Sequence, residues 1–108
     1  MADELLPEER RLAALRRLIQ AQADSDKASK EALATAREQM EVEKQLGDLK
    51  NASSEEEKKL KEFLESRLVT LKAKSEEEQK SIDRARELLA EEDRLEQVLE
   101  RQTKQRRQ

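Results

Sequence analysis

Apolar residues recur along this chain at alternating spacings of three and four, the period of an amphipathic α-helix. Leu12, Leu15 and Ile19 set the phase, which passes through Gln22, Asp26 and Ser29 to Leu33, Ala36 and Met40. Val42, Leu46 and Leu49 close this first arm on a slightly shifted phase. A second arm starts at Leu60, Phe63, Leu64, Leu68 and Leu71, crosses a polar stretch, and resumes at Ile82, Ala85, Leu88, Leu89, Leu95, Val98 and Leu99.

The clearest boundary lies between the arms. Gly47 is the only glycine, and Asn51-Ala-Ser-Ser54 follows it. Ser53 or Ser54, with Glu56 or Glu57 three residues on, matches a capping box, in which hydroxyl and carboxylate satisfy amide donors at a helix start. Asn51-Ala-Ser53 also fits a glycosylation acceptor sequence, and we read it as turn and cap. The pattern predicts one domain over residues 1–108, with helix one at about 4–49, a turn at about 50–53 and helix two at about 54–105. A second capping-box match, Ser75-Glu-Glu-Glu78, marks an alternative in which helix two breaks near Ser75. Lys72-Ala-Lys74 before it is good helix sequence, so the expectation is a continuous helix.

The predicted fold is all-α: a long antiparallel helical hairpin of coiled-coil type, which either stands alone or pairs into a four-helix bundle. Facing positions should sum to about 103 if the chain reverses at residues 50–53. That register sets Leu33 near Val69 and Leu71, Met40 near Phe63, Leu15 near Leu88 and Leu89, and Leu5 near Val98 and Leu99. It also sets the polar gap from Gln22 to Ser29 opposite the gap from Lys74 to Ser81, a place where local opening is expected. Charges agree with an antiparallel pair. Arg10, Arg11, Arg16 and Arg17 would face Glu87, Glu91, Glu92 and Asp93, Glu41 and Glu43 would face Lys58, Lys59 and Lys61, and Asp3 and Glu4 would face Arg101 and Lys104.

Composition narrows the function classes. Charged residues make up 45% of the 108 positions yet nearly cancel, leaving a formal charge of −3. Apolar residues are 34%, drawn largely from leucine and alanine, so each helix can bury only a narrow stripe. With no Cys and no His, disulfides, thiol nucleophiles and a histidine base are excluded, and no metal site or cofactor is expected. Asp24-Ser-Asp26 begins like a calcium loop but lacks its glycine, and is read as a solvated helix face. Carboxylates are abundant without a pocket to separate their pKa values, so no catalytic residue is assigned and the chain is read as non-enzymatic.

Two surface features remain. Leu18, Leu68, Leu88 and Leu95 form a thinner stripe beside the main seam, expected either to bind a protein partner or a second copy, or to broaden the internal seam. The run Arg101, Lys104, Arg106 and Arg107 is a basic tail that suits the negative end of a helix dipole. No aromatic residue accompanies it to stack a base, so nucleic acid is not the expected partner, and neither is a membrane or a small-molecule substrate. No apolar leader follows Met1, and the expected location is the cytoplasm. The expected role is a non-catalytic scaffold or adaptor subunit inside a larger intracellular complex. The alternative is a regulatory binder or export-type chaperone whose helices open around a client.

Overall fold

A computed structural model describes residues 6–107 and is built of four helices: α1 (Pro7–Ser25), α2 (Lys27–Asp48), α3 (Glu55–Lys72) and α4 (Glu76–Arg107). The all-α reading holds, and the reversal between α2 and α3 falls where Ser54 caps the new helix. Its hydroxyl accepts from the Glu57 amide at 3.1 Å and donates to the Glu57 carboxylate at 2.9 Å. Gly47, however, lies inside the last turn of α2 with an ordinary helical backbone, so the reversal belongs to Leu49–Ser54.

Each expected arm is two helices. Ser75 repeats the Ser54 cap, accepting from the Glu78 amide at 3.2 Å and donating to its carboxylate at 3.1 Å. The alternative break near Ser75 is therefore the observed one. Lys72-Ala-Lys74 is good helix sequence, but it offers no apolar contact to hold the helix together against that cap. The first arm breaks too, at a place read as continuous. Asp26 takes an extended backbone and its carboxylate accepts from the Ser29 amide at 2.6 Å, capping α2. Aspartate competes for backbone donors and favours caps over helix interiors. With only Ala23 and Ala28 as apolar residues between Gln22 and Ser29, no packing opposes it.

These breaks change the register. α2 and α3 run antiparallel, joined by Arg67 to Glu38 at 2.8 Å and by Gln39 to the Leu71 carbonyl at 3.1 Å. α4 instead runs in the same direction as α2. The first turns of both line one groove, and farther along both Arg86 meets Gln39 at 3.0 Å and Glu43 at 2.9 Å. Along α1, by contrast, α4 runs antiparallel, with Arg16 reaching Glu96 at 2.6 Å and Glu92 at 3.5 Å. The chain thus reverses at Asp26, at Leu49–Ser54 and at Ala73–Ser75, and α2 touches all three other helices.

Two apolar clusters result. One joins Ile19, Ala32, Leu33, Ala36, Ile82, Ala85 and Leu89, with Leu15, Met40 and Leu88 packed against it. The other joins Val42, Leu64 and Leu71, with Leu46, Leu49 and Leu68 alongside. Leu15 and Leu88 pack against the one cluster that contains Leu89, in keeping with the expected register. Leu33 does not meet Leu71, because they belong to different clusters, and Val69 and Phe63 are 70% and 66% exposed. Breaking both arms allows α4 to cover Leu33 and Met40, which the single hairpin would have left to α3. Leu5, Asp3 and Glu4 lie outside the described residues.

Candidate functional site: a groove between α1 and α4

The stripe leucines split between two places. Leu18, Leu88 and Leu95 converge on one open groove of about 440 Å³ between α1 and α4, together with Arg11, Ala14, Leu15, Glu87 and Glu91. Leu68 stands apart, packed against the α2–α3 cluster. On α1, positions 11, 14, 15 and 18 share a face because three- and four-residue steps return to the same side of a helix. On α4, positions 87, 88, 91 and 95 do the same. Leu95 is buried and forms the floor, Leu88 is half-buried, and Leu18 is 48% exposed on the wall. Helix-to-helix packing could absorb such a side chain, whereas a lone helix pair leaves it in water.

The groove is polarised. Because α1 and α4 are antiparallel, Arg11 stands at the Leu95 end, and Glu87 and Glu91 stand at the Leu18 end. All three charged side chains are exposed. On the far side of the α1–α4 contact, Arg16 is held by Glu96 and Glu92, and the hydrogen bond to Glu96 together with both carboxylate charges raises its pKa above that of a free guanidinium. Of the four arginines expected to face the acidic stretch of α4, Arg16 pairs with it and Arg11 shares its groove.

Elsewhere the expected charge pairing is replaced. Glu43 binds Arg86 of α4, with Nη1 at 2.6 Å from its Oε1, instead of Lys58, Lys59 or Lys61. Lys104 pairs with Glu100 on its own helix at 3.5 Å, which leaves the basic tail an extension of α4 through Arg101 and Lys104 to Arg107. The Asp3 and Glu4 partners expected for that tail lie outside the described residues.

A larger groove, of about 530 Å³, opens between the first turns of α2 and α4. Ala28 from one polar gap meets Lys74, Glu77, Glu78 and Ser81 from the other there, over a floor of Ala32 and Ile82. Its walls are exposed charged side chains, Glu31, Lys74, Glu77 and Glu78, with no convergent set of buried polar groups of the kind that orients a small ligand. Among the described residues, no group of three or more His, Cys, Asp or Glu side chains is placed to hold a metal ion. No described helix is long and apolar enough to cross a membrane.

Sequence reasoning missed two features that shape these grooves. Asp26 was read as part of a solvated face, and its signal was the pairing of a capping residue with a stretch lacking large apolar residues. Gln39, within the first arm, is fully buried among the helices. Its position one residue before Met40, off the apolar phase, gave no sign of that. Neither the protein-family models, nor the curated proteins, nor the solved structures contain a match to this chain.

Proposed function

We propose that the chain is a non-catalytic helical scaffold or adaptor subunit of a larger intracellular complex, which docks a partner helix in the α1–α4 groove. The observation carrying this reading is the convergence of Leu18, Leu88 and Leu95 between charged rims. An amphipathic helix laid in such a groove would bury its apolar positions against these leucines. Its flanking charges would select direction through Arg11 and the Glu87–Glu91 pair. A photoreactive residue placed at position 18, and separately at exposed position 69, tests it in cells that make the protein. One discrete adduct from position 18 and none from position 69 supports docking. Equal labelling from both positions, or none from position 18, refutes it.

A second reading, a client-binding protein whose helices open, is favoured by one observation. Both polar gaps contain a helix break, Asp26 in one and Ala73–Ser75 in the other, and the first turns that follow meet at the same groove. Opening there would disturb few apolar contacts. Amide hydrogen exchange across residues 22–29 and 74–81 should then be faster than in the flanking leucine blocks, and slow on client binding. Uniform protection along all four helices would rule this reading out.

A further inference from the structure

We propose that the occupant of the α1–α4 groove is the same groove of a second copy of this chain, related by a two-fold axis that reverses its direction. This rests on the reading of the groove as a helix-docking surface. The carrying observation is the charge order along the groove. Arg11 lies at the Leu95 end, and Glu87 and Glu91 lie at the Leu18 end. Positions 11 to 18 on α1 span about 10 Å, and positions 87 to 95 on α4 span about 12 Å, so the two ends are well separated.

A copy laid face to face with its direction reversed brings each cationic end over an anionic end, twice by symmetry. A copy in the same direction would gather both Arg11 side chains at one end of the groove and all the glutamates at the other. Like charges at such close quarters disfavour the arrangement, so the charge order selects one of the two orientations. The apolar residues follow the same symmetry. With the axis crossing the groove midway between Arg11 and Glu87, Leu18 of one copy comes to rest near Leu15 and Ala14 of the other. The four helices, two from each copy, form a bundle whose core is the leucine stripe. Leu18 is the side chain that would change most, from nearly half exposed to buried.

The exposed pair Leu60 and Phe63 on α3 lies outside this groove, and Arg67 beside it is already engaged by Glu38. Nothing there defines an occupant, and that face is left out of the assembly.

Charge reversal and mixing test the arrangement. Arg11→Glu in one chain and Glu87→Arg with Glu91→Arg in another alter exposed positions only, and circular dichroism confirms that each variant folds. Wild type should be a dimer by light scattering, dissociating as it is diluted over about a hundredfold range. Each variant alone should associate at least about tenfold more weakly. Mixed in equal amounts they should form heterodimers, since each reversed end then meets its complement. Failure of the mixture to associate while wild type dimerises overturns the proposed orientation. A wild-type monomer throughout overturns the second copy as occupant. If position 18 then still gives one adduct whose mass is not twice that of the chain, the docking reading survives without the second copy. The absence of any adduct removes both.

Discussion

Gln39, fully buried in α2, donates from Nε2 to the carbonyl of Leu71 at 3.1 Å, closing the end of α3. Leu71 lies in the last turn of its helix, where carbonyls have no intrahelical donor. The Gln39 Oε1 in turn accepts from Arg86 at 3.0 Å, and Arg86 also binds Glu43, so one amide side chain ties α2, α3 and α4 together.

Replacing Gln39 with Leu keeps the volume but strands a buried carbonyl and one face of a guanidinium. We expect a loss of about 2–4 kcal/mol in urea denaturation. Arg67→Ala, which removes the exposed pair with Glu38, should lose less than about 1 kcal/mol. Equal effects from the two substitutions would contradict the assignment of Gln39 as the central tie.

The shifted register makes opposite forecasts for two residues that the simple hairpin pairs. Leu33 is 2% exposed and surrounded by Ile19, Ile82 and Leu89, so Leu33→Ala should destabilise by about 2–5 kcal/mol. Val69, facing water, should tolerate Val69→Ala within about 0.5 kcal/mol. Comparable losses at both positions would restore the hairpin register.

Gly47 is a helical residue with open space where a β-carbon would go. Alanine there should stabilise the protein by about 0.5–1 kcal/mol, because glycine loses more backbone freedom on helix formation. A drop in stability on Gly47→Ala, measured by the same denaturation, would show that the turn needs glycine.

The Asp26 carboxylate is held below its usual pKa of 3.8, first by the backbone amide of Ser29 and then by its hydroxyl. A depressed carboxyl contributes stability that is fully present above the unfolded value and is lost as pH falls through the folded one. Asp26→Asn keeps the cap but should lack this acid-side loss, while Asp26→Ala should lower the melting temperature at neutral pH. An NMR titration that places the Asp26 midpoint at or above 3.8 would count against the cap.

Helix content, the Ser54 start and the antiparallel α2–α3 and α1–α4 pairs were legible because leucine spacing and capping boxes are local signals. The Leu18, Leu88 and Leu95 stripe was legible for the same reason, since a helix face is a fixed function of spacing. Asp26 and the parallel course of α4 along α2 were not. A single cap inside a long favourable helix gains its effect from absent tertiary contacts, and those depend on where the chain goes next. Leu68 shows the same limit. Its stripe position is shared with the groove leucines, but the break after Lys72 carries it to a different cluster.

Occupation of the α1–α4 groove is read most directly from the Leu18 methyl groups. A soluble paramagnetic agent broadens side chains in contact with water, and Val69 supplies an exposed standard on α3. In dilute protein both should broaden. In concentrated protein, Leu18 should become shielded while Val69 stays accessible. Leu18 and Val69 broadened alike at every concentration would contradict the account.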